Sequence, residues 1–166
     1  PFFCVLYMFY IFYVIFVYFF EFAHRSLSSN GTKNAMDDCQ WLRESGMEAL
    51  ILRQAEKKTP IIGICGGFQL LGKVMEDPDN VEHGGTMRGM GLLDTKTVFA
   101  KSKTRTQIHG IMRKGVGLWS DWEGKEVTGY EIHMGVSENL GGCQELVRLE
   151  DGRIDALANE DGTVLG

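Results

Sequence analysis

The chain has 166 residues, a formal net charge of −5 and four cysteines. That length is enough for one domain with a substantial core, or for one domain with an attached segment. Nucleic-acid binding is not expected, because phosphate recognition needs clustered Lys and Arg and the chain has no long basic run. The cysteines are widely spaced, without a C-x-x-C pair or a Cys/His cluster, which predicts reduced thiols in a cytosol-like compartment and no structural zinc.

The N-terminal stretch, residues 1–20, differs in composition from the rest and carries no charged side chain. About 20 apolar residues at ~1.5 Å each would cross a bilayer, so a membrane anchor is one interpretation. The stretch has no basic leader or small-residue cleavage site, and it consists almost wholly of residues with A/T-rich codons, which favours translation of a non-coding or frame-shifted sequence. A buried strand is the third interpretation. We divide the chain into an aberrant segment, residues 1–25, and a partial α/β domain, residues 26–166.

Two helical pieces are predicted after a polar loop. Asn34 is a plausible N-cap, and Asp37 and Asp38 follow where the helix dipole favours anions. Gly46 marks a break between the pieces. Apolar residues recur at helical spacing and are predicted to face the core, namely Trp41, Leu42, Met47, Leu50, Ile51 and Ala55.

A short apolar run, residues 61–64, fits a buried parallel strand that leads through a tight turn into another helix. The order of loop, helix, strand, turn and helix indicates a βαβ unit if a strand precedes the loop. That strand would fall in the N-terminal segment. Further strands are predicted at residues 92–99, 104–112, 128–134 and 146–149, with a hairpin turn at Asp151 and Gly152.

The turn itself reads GICGG and has the G-x-C-x-G shape of a nucleophile elbow. A residue between strand and helix is held there in strained backbone geometry that neighbouring glycines make possible. Cys65 would then be exposed at a helix start, where backbone N–H groups, that of Gly66 first, can stabilise a thiolate and an oxyanion. The alternative is a small buried cysteine in a glycine-rich turn.

Four longer stretches carry a family resemblance. GICGGFQLLG resembles the nucleophile motif of class I glutamine amidotransferases, while GTKNAMDDCQWLRESG, RGMGLLDTKTVF and GYEIHMG resemble successive motifs of their cobyric acid synthase branch. The resemblance implies an α/β class I amidotransferase fold, with a mostly parallel sheet flanked by helices and incomplete at both ends. It also implies a glutaminase domain that delivers ammonia to side-chain carboxylates of a corrin in cobalamin biosynthesis.

The same resemblance assigns roles to particular residues. Cys65 matches the nucleophile that attacks the glutamine carboxamide. Gly31 matches the glycine of the P-G-T-K-N turn, whose backbone can supply a second oxyanion donor, although Asn30 stands in place of the proline. Gln69 matches a position that lines the glutamine pocket; a solvated helix residue is the alternative.

The catalytic base is less clearly marked among the four histidines, His24, His83, His109 and His133. In relatives the catalytic histidine lies in an L-H-G-type motif that would follow residue 166, so we expect this fragment to lack its base and to be inactive alone. We interpret His133, in the GYEIHMG stretch, as a residue of the pocket or of the strand; a substitute base is the alternative.

No cofactor is expected to bind this part of the protein, because no G-x-x-x-x-G-K-[ST] motif occurs. The resemblance implies ATP and Mg²⁺ in a separate synthetase domain, through which the corrin would be reached, and a cytoplasmic enzyme. Two alternatives stay open: another Cys-elbow amidotransferase, such as the type that amidates cell-wall lipid II, and a membrane-tethered binding module without catalysis.

Overall fold

The computed structural model describes residues 15–16 and 34–166; of residues 15–16, 102–105 and 132 only the backbone is described. Predictions for the remaining N-terminal residues, including those for His24 and Gly31, lie outside this part of the chain. The helices are α1 (Ala35–Glu44), α2 (Met47–Glu56) and α3 (Gly66–Leu71), with a 3₁₀ helix at Gly117–Trp122. The strands are β1 (Ile15–Phe16), β2 (Ile61–Ile62), β3 (Val74–Asp77), β4 (Gly85–Arg88), β5 (Thr95–Met112), β6 (Glu126–Asn139), β7 (Gln144–Leu149), β8 (Ile154–Ala158) and β9 (Val164–Leu165).

The start of α1 follows the predicted chemistry. The side chain of Asn34 accepts a hydrogen bond from the Asp37 N–H at 3.0 Å, which satisfies one of the unpaired donors of the first turn. Asp37 and Asp38 lie in that turn. Gly46 takes a φ of 79° between α1 and α2, a conformation that glycine adopts without steric cost, and it separates the two helices as predicted.

The buried face of α2 differs from the prediction. Ile51 is buried, but Met47 and Leu50 are 41% and 49% exposed. Glu48 lies on the buried face, where its carboxylate meets the Arg43 guanidinium at 2.8 Å. The prediction is wrong for Met47 and Leu50, and it is confirmed for the other residues of the set, which are buried in the core or packed against it, namely Trp41, Leu42, Ile51 and Ala55. An ion pair allows the Glu48 carboxylate to occupy a position that otherwise favours an apolar side chain.

The strands form one mixed sheet in the order β1-β2-β9-β8-β7-β5-β3-β4, with β6 paired to β5. The parallel pairs are β1 with β2, β2 with β9, and β3 with β5. The α/β class is confirmed, and β1 supplies the strand expected before the first helices. The sheet contains more antiparallel pairing than predicted, because strands such as β7 and β8 are joined by a short hairpin instead of a helical crossover.

A long antiparallel ribbon of β5 and β6 replaces the separate strands predicted at residues 92–112. Its register shifts between Val98 and Lys103, where Gly135 is the single β6 residue between the two paired segments. Gly135 has a φ of 82°, and a Cβ there would lie 2.6 Å from the Val98 carbonyl oxygen. The bulge therefore needs glycine, and it lets one ribbon continue across what the sequence presents as a break.

Two apolar clusters hold the domain together. The larger joins α1, α2 and α3 to β2, β3 and β5 through buried residues that include Met36, Leu70, Leu71, Met75 and Phe99. The smaller cluster centres on Leu146 and Val147 of β7, with Trp119 packed against it. Because α3 is anchored by Leu70 and Leu71, the turn before it is held at a fixed place against the sheet.

Candidate active site

Cys65 lies between β2 and α3, as the strand-turn-helix pattern predicts. Strand β2 ends at Ile62, two residues earlier than expected, and Cys65 is the N-cap of α3. Its φ of 56° and ψ of −117° are values that a non-glycine residue rarely adopts. The thiol-bearing residue is exposed. A strained backbone that holds a thiol at the surface is the geometry expected of a nucleophile elbow, and it differs from that of a buried structural cysteine.

The first glycine of the turn is required by close packing. A Cβ on Gly63 would lie 2.6 Å from the Leu71 Cδ1 atom and 2.7 Å from the Gly67 carbonyl oxygen. On the other side, a Cβ on Gly66 would come no nearer than 3.9 Å to the Ala35 Cβ atom. The elbow is therefore tight between strand and helix, and it is flanked by the start of α1.

The backbone around Cys65 is strained, and it also contains N–H groups that can donate hydrogen bonds. The Gly67 N–H bonds to the Ile64 carbonyl at 3.0 Å, and the Gln69 N–H bonds to the Cys65 carbonyl at 3.3 Å. Gly66 is the first residue of α3, so its N–H has no carbonyl partner within the helix. Such a group next to a nucleophilic thiol can donate to an oxyanion. Gly31, the predicted second donor, lies outside the described residues.

Gln69 is buried, with 8% of its surface exposed, so it is not a solvated helix residue. Its Nε2 atom donates to the Met134 carbonyl at 3.1 Å. This bond connects α3, the helix after Cys65, to the GYEIHMG stretch of β6. The two motifs, 65 residues apart in sequence, thus meet at one place.

Both ring nitrogens of His133 face oxygen atoms. Nδ1 lies 2.8 Å from the Gly135 carbonyl, and Nε2 lies 2.8 Å from Oε1 of Glu131. Glu131 also receives two hydrogen bonds from the Arg153 guanidinium. Hydrogen bonds from Arg153, assisted by one from His133, lower the pKa of Glu131 despite its burial. A ring held at both ends is placed to order β6, and its nitrogens are occupied by partners other than a nucleophile.

Of the other histidines, the structure describes His83 and His109, and neither forms a comparable site. His83 Nδ1 lies 2.6 Å from Oδ1 of Asp37, and His109 is an exposed residue of β5. Cys39 and Cys143 are buried, and burial raises the pKa of both thiols. Within residues 34–101, 106–131 and 133–166, no group of three or more His, Cys, Asp and Glu side chains is arranged to hold a metal ion.

Sequence reasoning did not predict that Glu131 and Arg153 contact each other beside His133. They are 22 residues apart, in a strand and in a hairpin turn, and nothing in their local sequence indicates that they meet. The sheet brings them together. Strand β5 lies between β6, which carries Glu131, and β7, which is followed by the turn that carries Arg153. Their pairing could not be predicted without the register.

The fold and the elbow define an α/β domain of the class I glutamine amidotransferase type. The structure of PurLQS from Thermotoga maritima has a TM-score of 0.53 to this chain at 20% identity, over 72% of this chain and 54% of that one. A glutamine amidotransferase from Thermotoga maritima also has a TM-score of 0.53, at 14% identity, over 82% of this chain and 50% of that one. At these identities the likeness establishes the fold alone.

Sequence comparison narrows the class. The profile of the CobB/CobQ-like glutamine amidotransferase domain matches residues 23–166, and the chain belongs to that family. The cobyric acid synthase of Ruminiclostridium cellulolyticum is 49% identical over 112 residues, which cover 68% of this chain and 22% of the relative. That of Lachnoclostridium phytofermentans is 53% identical over 107 residues, covering 64% and 21%. That of Dehalococcoides mccartyi is 41% identical over 142 residues, covering 82% and 28%.

Proposed function

We propose that this chain is the glutaminase domain of a cobyric acid synthase, in which Cys65 hydrolyses glutamine to supply ammonia. The observation that carries the proposal is the exposed Cys65 in a strained turn between β2 and α3, since a buried structural thiol needs neither feature. Gln69 and His133, which meet through Met134, are proposed to form one wall of the glutamine pocket. Family membership supports glutamine as the substrate.

The proposed reaction has two stages. The Cys65 thiolate attacks the carboxamide carbon, and the negative oxygen that forms is stabilised by the Gly66 N–H and by the second backbone donor that the family resemblance assigns to Gly31. The carbon–nitrogen bond then breaks, ammonia leaves with an added proton, and a thioester remains. Water hydrolyses the thioester to glutamate and restores the thiol.

The base that moves these protons is assigned to the later histidine that the family resemblance implies. His133 is a poorer candidate because the Gly135 carbonyl and the Glu131 carboxylate already occupy its two nitrogens. A general base must reach the proton that it removes. Alanine at position 133 should therefore weaken glutamine binding more than it slows the chemical step.

Ammonia is proposed to be consumed by a synthetase domain elsewhere in the whole protein, which would use ATP and Mg²⁺ to amidate corrin carboxylates. The chain spans 21% and 22% of the length of the two relatives with the highest identities quoted above, so there is room for such a domain in proteins of that length. We assign the reaction to the cytoplasm, where thiols such as Cys39 and Cys143 stay reduced.

The two alternatives have less support. The relatives quoted above carry the name cobyric acid synthase, which does not favour a lipid II amidating enzyme. In the described part of the chain, no helix has the length and apolar character that a membrane crossing requires. The division into an aberrant segment, residues 1–25, and a domain from residue 26 stays a prediction.

Cys65→Ser in the full-length protein tests the proposal. Glutamine hydrolysis and glutamine-dependent amidation should fall by at least about 100-fold, since the alcohol is a much weaker nucleophile than the thiolate at neutral pH. Amidation with added ammonium should continue at the wild-type rate, which serves as the folding control. Retained glutamine hydrolysis in the variant would overturn the assignment of Cys65, and a wild-type protein that amidates no corrin would overturn the assignment of the acceptor.

A further inference from the structure

We propose that Arg153 is a positioning residue of the glutamine pocket, acting through Glu131 and His133 on the β6 backbone to which Gln69 is bonded. This proposal rests on the proposed function, because the pocket binds glutamine only if the chain is a glutaminase domain. Arg153 itself lies in the turn between β7 and β8, where its guanidinium binds the carboxylates of Glu131 and Asp151.

The first link is a fork between Arg153 and Glu131. Nη1 donates to Oε1 at 2.9 Å, and Nη2 donates to Oε2 at 3.0 Å. The Nε atom of the same guanidinium donates to Oδ2 of Asp151 at 2.7 Å. Because the guanidinium is planar, two carboxylates held on two of its edges fix its orientation.

The second link joins Glu131 to His133. The Glu131 side chain is only 13% exposed, so solvent screens its contacts less than those of a surface ion pair. Its Oε1 atom accepts from Arg153 and lies 2.8 Å from Nε2 of His133. The lowered pKa of Glu131 keeps it an ionised acceptor at neutral pH. The carboxylate thus ties the turn after β7 to the imidazole on β6.

The third link is the short backbone segment that follows His133. Nδ1 lies 2.8 Å from the Gly135 carbonyl oxygen, to which it donates when that nitrogen carries the hydrogen. This contact spans Met134, the residue whose carbonyl accepts from Gln69. Gly135 lies at the ribbon bulge with a positive φ, a place where the regular ladder of hydrogen bonds does not hold the chain. The imidazole supplies the missing support, and Arg153 keeps the imidazole in place through Glu131.

Three variants of the full-length protein test this chain of contacts. Arg153→Met removes the fork but keeps the aliphatic stem, Arg153→Lys keeps the charge without the fork, and Arg148→Met removes an exposed arginine of neighbouring β7 as a matched control. We expect Arg153→Met to raise the KM for glutamine about tenfold, or ~1.4 kcal/mol, with kcat changed less than about twofold. Arg153→Lys should recover part of the loss, and Arg148→Met should behave as wild type.

Hydrogen exchange in the absence of glutamine provides a second measurement that does not depend on catalysis. Amides of residues 131–136 should exchange faster in Arg153→Met than in wild type or Arg148→Met. The thermal unfolding midpoints of the three proteins should stay close to one another. An unchanged KM together with unchanged exchange in Arg153→Met would overturn the proposal, as would equal losses in Arg153→Met and Arg148→Met. A wild-type protein that does not hydrolyse glutamine overturns the proposed function instead, and the exchange result then decides the positioning role alone.

Discussion

At the scale of single residues, Gly63 shows how closely the elbow is packed. A methyl group there would meet both Leu71 and the Gly67 carbonyl at under 3 Å. We expect Gly63→Ala to lower the free energy of unfolding by about 1–3 kcal/mol, because strand or helix must move to make room. Urea denaturation measures this loss. Gly129→Ala is the matched control, since a Cβ at that β6 position has nothing within 4 Å. Equal stability of the two variants would mean that the elbow is looser than described.

The three described cysteines should differ sharply in reactivity. Cys65 is exposed, whereas burial both shields the Cys39 and Cys143 thiols and raises their pKa, so that fewer are ionised at neutral pH. Brief iodoacetamide treatment of the folded protein should alkylate Cys65 at least about tenfold faster than the other two. Peptide mass spectrometry gives the three rates. In urea the rates should converge, and similar rates in the folded protein would contradict the described burial.

The exposed turn at Cys65 and the helix cap at Asn34 could be predicted because each depends on residues close by in the sequence. Cys65 has glycines on both sides of the turn, and Asn34 precedes the unpaired N–H groups of a first helical turn. Glu48 was missed for a different reason. Its burial depends on an ion pair with Arg43, which lies near the end of the preceding helix, α1. Apolar periodicity contains no information about such a pair.

At the scale of elements, α1 begins beside the elbow and is capped from two sides. Asn34 accepts from the Asp37 N–H, and Glu82, from the loop after β3, accepts from the Met36 N–H at 3.2 Å. We expect Asn34→Ala to cost about 1 kcal/mol of unfolding free energy. Gln40→Ala, at an exposed position within the same helix, should cost no more than about 0.5 kcal/mol. Chemical denaturation measures the loss of unfolding free energy in both variants. Equal losses would show that the cap does not stabilise the helix.

The loop after β3 is organised by a buried carboxylate. Burial alone would raise the pKa of Asp77, but N–H donors from Val81, Glu82 and Gly84 at 2.7–2.8 Å outweigh it and lower the pKa. Since the folded pKa lies below the unfolded value of about 3.9, the ionised carboxylate stabilises the fold above that pH. This contribution declines as the pH falls further, toward the folded pKa.

Asp77→Asn should therefore be less stable than wild type at pH 7, by about 2 kcal/mol. The stability difference should narrow as the pH falls below about 4, because the wild-type carboxyl is then progressively protonated. Thermal or urea unfolding at a series of pH values measures both curves. A difference that stays constant down to pH 2 would show that the charge of Asp77 does not stabilise the loop.

At the scale of the whole molecule, the α/β class and the strand-turn-helix around Cys65 could be predicted, while the share of antiparallel pairing could not. Local patterns identify helices and the turn at Gly152, but they do not say which strands become neighbours. The ribbon of β5 and β6 depends on a bulge at Gly135, and the site depends on the ribbon through the bond from Gln69 to Met134. The features missed from sequence are those that long-range register creates.

The central claim is that Cys65 attacks glutamine, and covalent trapping tests it most directly. The full-length protein is treated with an electrophilic glutamine analogue, with and without excess glutamine, and the modified residue is identified by peptide mass spectrometry. The account predicts a single adduct on Cys65 that glutamine prevents. Modification of Cys39 or Cys143 to the same extent, or labelling of Cys65 that glutamine does not slow, would contradict it.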